Sequence, residues 1–174
     1  MTVMTIYEIP DAVLREVAQP VDAVTDEVRT LIDDMFETMY AARGIGLAAT
    51  QVGVTKRVVV IDLQEGEDDE GKPIRDPRAF VNPEILSTSD ETSKYNEGCL
   101  SIPEQYAEVE RPARCRVKWL DRDGAVHEDE MDGLLATCMQ HEIDHLNGVL
   151  FIDHISRLKR EMLVKKLNKA RRAA

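Results

Sequence analysis

Between Thr25 and Arg43 the apolar residues Val28, Leu31, Ile32, Met35, Phe36 and Met39 recur at steps of three and four, which predicts one face of an amphipathic helix. Thr25 supplies an N-cap and Gly44 a stop. At residues 57–63 the pattern changes to RVVVIDL, a short β-branched run of the kind that forms a buried strand, and the acidic EGEDDEGKPIRDP after it reads as an exposed loop. AFVNPEIL, YAEVE, CRVKWLDRDG and AVHEDEM predict further strands, with Arg122-Asp123-Gly124 as the hairpin turn between the last two. Helical spacing returns from Gly133 in LLATCMQHEIDHLNG and stops at Asn147-Gly148, a pair suited to a left-handed C-terminal cap. Ser156 is placed to cap a last helix running to about Lys169. With no internal repeat, the expectation is a single α+β domain over residues 1–174, its antiparallel strands flanked by N-terminal and C-terminal helices.

Charge changes this picture at one end. The chain carries a formal −11, yet residues 157–172 hold eight basic side chains against one acid, a local +7 that leaves −18 for the remainder. An acidic body argues against sequence-specific nucleic-acid binding, while the basic end is suited to RNA or an acidic partner; the plainer alternative is a solvated helix face. No apolar run approaches the roughly 20 residues a bilayer requires and the N-terminus lacks a leader pattern, so the expectation is a cytoplasmic protein without membrane contact. Three cysteines, Cys99, Cys115 and Cys138, cannot all pair and are expected to be reduced there, which makes a thiolate ligand available.

The chemistry concentrates in QHEIDHLNG. On a helix His141 and His145 lie one turn apart and can aim two imidazoles at one point, with Glu142 beside them. A catalytic metal site needs a third protein ligand and an open position. The pattern H-E-x-x-H-x-x-G-x-x-H holds through Gly148 but ends on Phe151, so no third histidine follows. Ligands at 138, 141 and 145 would spread over roughly 10 Å of helix axis, so Cys138 is expected to line the site instead. Cys115 is expected to pack; His127 and His154 stay open as ligands, with nothing nearby to favour them. Cys99, in NEGCLSIP, is the best third donor, because Gly98 allows an unusual turn and Ser101 and Pro103 interrupt regular structure. Two imidazoles and a thiolate suit Zn²⁺ or Fe²⁺. In GIGLAATQVG the glycines allow backbone to approach a ligand, and Gln51 offers an amide donor for a developing oxyanion; the absence of G-K-[ST] and of a preceding strand weakens a nucleotide reading.

Taken together, GIGLAATQ, EGCLS and QHEIDHLNG resemble the three signature stretches of the peptide deformylases, of the bacterial type with a C-terminal α-helix. The resemblance implies a metal held by Cys99, His141 and His145, commonly Fe²⁺ with Zn²⁺, Ni²⁺ or Co²⁺ as replacements. It also implies removal of the N-formyl group from formyl-methionine on nascent polypeptides. By position against the family, Glu142 is the proton carrier, and Gln51 and the Leu100 N–H face the oxyanion. Gly44, Ile45 and Gly46 form a groove wall, and Leu134, Thr137, Cys138 and His141 line the methionine pocket. Thr137 stands where many such relatives have an aliphatic residue, and Tyr106 where some have arginine. Glu97 and Arg111 are expected to pair behind the Cys99 loop, the basic C-terminal helix to meet the ribosome, and the protein to be a monomer. The competing readings are a metallopeptidase of ordinary peptide bonds and a non-catalytic ribosome-associated module.

Overall fold

The computed structural model describes residues 2–173. In chain order it comprises α1 (Asp26–Ala41), β1 (Gly46–Ala48), β2 (Val58–Ile61), β3 (Arg78–Thr88), β4 (Thr92–Cys99), β5 (Ile102–Pro112), β6 (Cys115–Leu120), β7 (Val126–Met131), α2 (Gly133–Leu146) and α3 (Arg157–Ala173). Five strands form one antiparallel sheet in the order β1-β2-β3-β6-β7, and β4 and β5 form a separate hairpin. This is the α+β architecture expected.

The sheet is covered on both faces, which is why β2 reads as an unbroken apolar run rather than an alternating one. Val58 and Val60 pack with Val28, Ile32, Met35 and Met39 of α1, whereas Val59 and Ile61 pack with Ala136, Cys138, Met139, Ile143 and Leu146 of α2. Strand alternation thus sends successive side chains into two cores. A third cluster joins Ile102 and Val109 of the hairpin to Leu150, Phe151, Ile152 and to Leu163 and Leu167 of α3. Only those two α3 leucines are buried; Leu158 and Met162 are 67% and 53% exposed.

Helix ends follow local rules. The Thr25 side chain accepts from the Val28 N–H, and Asp26 and Glu27 complement the positive end of α1. At the other end Arg43 N–H bonds the Tyr40 carbonyl at 3.0 Å and Gly44 N–H the Met39 carbonyl at 2.9 Å, a Schellman pattern. Its left-handed residue is Arg43, at φ 60°, not the glycine expected to stop the helix. Gly44 serves a different purpose: a Cβ there would lie 2.7 Å from the tip of the Leu100 side chain, so the glycine lets Leu100 pack close. α2 ends in the same way, with Gly148 at φ 74° and N–H groups of Gly148 and Val149 on the His145 and Asp144 carbonyls. The last helix begins beside Ser156, whose hydroxyl accepts from Lys159 N–H, and continues past Lys169 to Ala173.

Candidate metal centre and active site

α2 delivers His141, Glu142 and His145 from one buried stretch of helix, with exposures of 7%, 4% and 1%. The imidazole centroids of His141 and His145 are 5.0 Å apart. Cys99 arrives from the end of β4. Here the hairpin register breaks, from Gly98 opposite Tyr106 to Cys99 opposite Ile102, so that Leu100 and Ser101 close a tight turn. Cys99 therefore does end a regular element, but that element, TSKYNEGC, was not among the predicted strands, and β5 begins at Ile102 and runs through Pro103.

Cys99 Sγ lies 3.2 Å from His145 Nε2. Donor atoms of Cys99, His141 and His145 all fall within 4.8 Å of one another, a group able to hold a metal ion. The donor chemistry fits such an ion. His141 Nδ1 is engaged by Glu97 Oε1 at 2.9 Å, which leaves Nε2 as its ligating atom. Ser101 N–H and Gln51 Nε2 point at the Cys99 sulfur at 3.4 and 3.5 Å. Burial opposes charge on His141, but Glu142, Cys99 and Glu97 outweigh it and raise its pKa well above the ordinary value; burial and the neighbouring His141 push His145 the other way. His127 and His154, left open by the sequence, belong elsewhere: His127 bonds Asp121 and stacks on Trp119, and His154 bonds Asp144. Cys115 is buried among the sheet residues, in the packing role expected.

Glu142 is the unusual carboxylate. Its Oε1 is buried with no hydrogen-bond partner among the described residues, and burial, opposed by His141 and reinforced by Glu97, pushes its pKa up to about 7. A Cβ on Gly46 would sit 2.5 Å from Glu142 Oε2 and 2.9 Å from Cys138 Sγ. The glycine of β1 is therefore what lets the strand approach the helix at this carboxylate. Gln51 stands on the 3₁₀ turn Ala49–Val52; its Oε1 accepts from Ala48 N–H at 3.0 Å, and its Nε2 donates to Ser101 Oγ at 3.1 Å. Behind the cluster Arg111 grips Glu97 with Nε at 2.7 Å and Nη2 at 3.0 Å, the expected pair, and reaches Asp144 with Nη1 at 2.8 Å. Burial pushes Glu97 up, but His141 and Arg111 prevail and hold it below the ordinary carboxylate range.

A cavity of about 550 Å³ opens onto these groups. Gly44, Ile45, Gly46 and Gln51 line one side, and Cys99, Leu100, His141 and Glu142 line its depth; the hairpin adds Pro103, Glu104, Gln105 and Tyr106. Four residues named from the sequence lie outside that lining, one of them the buried His145. Thr137 and Cys138 are buried in α2 and Leu134 is half-buried near its start, with Cys138 backing the wall beneath Gly46. Sequence reasoning did not single out Ser101, which ties Gln51 to the Cys99 turn, or Asp144, although Asp144 stands inside the HEIDH stretch between the two histidines.

Comparison with known proteins agrees with this geometry. The sequence model of the polypeptide deformylase family matches residues 3–161. A peptide deformylase of Rhizorhabdus wittichii is 68% identical over 173 residues, covering 99% of this chain and 98% of that one. Among solved structures, a peptide deformylase from Ehrlichia chaffeensis superposes with a TM-score of 0.90 at 41% identity, over 99% of this chain and 98% of that one. One from Legionella pneumophila gives 0.87 at 46%, over 99% and 97%. With Cys99, His141 and His145 converging beside Glu142 and the likeness running from one end of the fold to the other, the chain belongs to the peptide deformylase family of hydrolases.

Proposed function

We propose that this chain hydrolyses the formyl amide of formyl-methionine at the start of nascent polypeptides, releasing formate and a free amine. The observation that carries the reading is the convergence of Cys99, His141 and His145 within 4.8 Å, next to a buried carboxylate oxygen without a partner among the described residues. Those three residues would hold one divalent ion, Fe²⁺ as the resident and Zn²⁺, Ni²⁺ or Co²⁺ as replacements. When bound, such an ion acidifies a water and polarises the carbonyl.

The chain's own groups then divide the work. Glu142 takes the proton of the attacking water, and its raised pKa suits it to return that proton to the departing amine nitrogen. The C–N bond breaks as the amine takes the proton, so water's oxygen leaves in formate. The Leu100 backbone N–H and the Gln51 amide, whose contact to sulfur is long, donate to the carbonyl oxygen as charge builds on it. Gly44, Ile45 and Gly46, which line the cavity, offer a backbone edge to the peptide, and the methionine side chain is assigned to the side of Leu134, Thr137 and Cys138 of α2, which lie outside that lining.

No helix among the described residues is long and apolar enough to cross a membrane. We place the protein in the cytoplasm as a monomer meeting chains at the ribosome through α3, whose Lys165, Lys166 and Lys169 are exposed. Deleting α3 is not a clean test of that contact, because Leu163 and Leu167 belong to the core; neutralising the three lysines and measuring ribosome binding apart from peptide turnover is.

The activity is tested with formyl-Met-Ala-Ser, acetyl-Met-Ala-Ser and the free tripeptide, using wild type and Glu142→Gln loaded with the same metal. The expected result is formate from the first peptide only, lowered about 10²–10⁴-fold in the variant at unchanged metal content. Cleavage of the Met-Ala bond would instead establish a peptidase, and an active Glu142→Gln would remove the proton-carrier role.

A further inference from the structure

The hydrogen-bond chain that begins at His141 continues beyond Arg111 to the surface. Asp144 Oδ2, which accepts Arg111 Nη1 at 2.8 Å, also lies 2.8 Å from His154 Nε2. The side chains step outward in exposure from Glu97 (6%) and Arg111 (5%) through Asp144 (24%) to His154 (35%). His154 ends the 3₁₀ turn Phe151–His154, and the first residue of that same turn, Phe151, stacks on the His141 ring at a centroid distance of 6.1 Å and an interplanar angle of 24°. The turn therefore meets His141 twice: on its face through Phe151, and at Nδ1 through His154, Asp144, Arg111 and Glu97. Arg15 anchors the turn, bonding Asp153 at 2.6 Å and the Gly148 carbonyl at 3.1 Å. Nothing equivalent serves His145, whose Nδ1 is buried with no partner among the described residues.

We propose that the turn Phe151–His154 is a clamp on the metal ligand His141, with His154 a positioning residue that acts through Asp144, Arg111 and Glu97. Asp144 fixes the guanidinium against α2, the helix that carries His141, so the Glu97 carboxylate is set relative to the imidazole it orients. In a buried network each bond constrains the next, and loss of the outermost member loosens the rest. Partners one step removed from a ligand govern how firmly the ion is held. The inference rests on Cys99, His141 and His145 being the ligands.

The test uses the full chain loaded with Co²⁺, and compares wild type with His154→Gln, which keeps an N–H donor for Asp144, and His154→Leu, which does not. Three quantities are read: the rate of Co²⁺ loss to excess EDTA, the visible Co²⁺ absorption bands, and the unfolding temperature of the metal-free protein. The expected result is release about 10-fold faster for His154→Leu with shifted bands, and within about threefold of wild type for His154→Gln, at similar metal-free stability. Equal release from wild type and His154→Leu, or equal acceleration in both variants, would overturn the proposal. Asp144→Asn, which keeps the shape and removes the charge, provides the same comparison if His154→Leu fails to fold, and wild-type release from it would be equally fatal. Cys99→Ala retaining Co²⁺ as tightly as wild type would show the ligand set to be wrong and bring the inference down with it. A Co²⁺-retaining wild type that released no formate would overturn the proposed activity alone.

Discussion

Replacing Gly46 by alanine tests how Glu142 is positioned without touching Glu142. The added methyl would meet the Glu142 Oε2 at 2.5 Å and the Cys138 sulfur at 2.9 Å, where ordinary contacts begin near 3.4 Å. Gly46 is paired with Ile61 on β1, the edge strand of the five-stranded sheet, and its neighbours Leu47 and Ala48 are fully buried, so β1 has little room to retreat. The carboxylate must therefore give way by roughly 1 Å, a displacement that costs on the order of 10²-fold in rate when the group is catalytic. Overpacking of this kind also costs about 1–3 kcal/mol in stability. For a chain of this size that is about 2–4 °C in Tm per kcal/mol. Formate release, metal content and thermal unfolding are measured on the same preparation. The expected outcome is kcat reduced about 10²-fold, a Tm lowered by several degrees, and one metal per chain retained, because none of the three ligands is touched. Wild-type kcat together with a lowered Tm would mean that the strain fell elsewhere and that Glu142's place against β1 does not matter to the reaction. Wild-type values of both would mean the close approach is not there.

Other consequences are as direct. Arg111→Met leaves the Glu97 and Asp144 carboxylates without their counter-charge and is expected to cost about 3–5 kcal/mol by urea unfolding. Glu97's folded pKa lies below its unfolded value, so the stability it brings is present above about 4.5 and is lost as pH falls through the depressed value; a wild-type-to-variant gap equally large at about pH 3 and pH 7 would contradict this. Burial pushes the Cys115 thiol up to about 11 and Cys138 well up, so iodoacetamide at about pH 8 should label only the partly exposed Cys99 in the metal-free protein, and metal should block it; native labelling of Cys115 at a comparable rate would be the contrary result. Arg43→Gly relieves a left-handed backbone position and should raise stability by up to about 1 kcal/mol, a sign that a denaturant titration reads at once.

The parts of the fold legible in the sequence are those written in local periodicity. The α1 stripe, the β2 run and the Asn147-Gly148 end of α2 appear where the pattern places them because each is fixed by neighbours within a few residues. β4 was missed for the opposite reason: TSKYNEGC is polar, its side chains alternate between exposed and half-buried only as far as Asn96 before the buried Glu97, and it is held as a strand by its pairing with β5. At the end of α1 the glycine signal was real but misattributed, since Gly44 lets the Leu100 side chain pack close while Arg43 adopts the left-handed turn. The convergence of Cys99, His141 and His145 was legible because H-E-x-x-H fixes two donors on one helix face and only one cysteine stood in a turn-forming stretch. Its support was half legible: opposite charges on Glu97 and Arg111 invited a pairing, but Asp144 meets Arg111 only across the fold, and His154 reaches Asp144 only after the chain has folded back from the end of α2. The same holds for α3, where composition showed a basic amphipathic helix and only packing separated the buried Leu163 and Leu167 from the exposed Leu158 and Met162.

The most direct test of the central claim is formate release from formyl-Met-Ala-Ser by protein purified without oxygen and loaded with Fe²⁺, run beside Cys99→Ala. Rapid release that the variant loses, together with its metal, is the predicted result. Release that survives in Cys99→Ala, or none from wild type with Fe²⁺ bound, would contradict it.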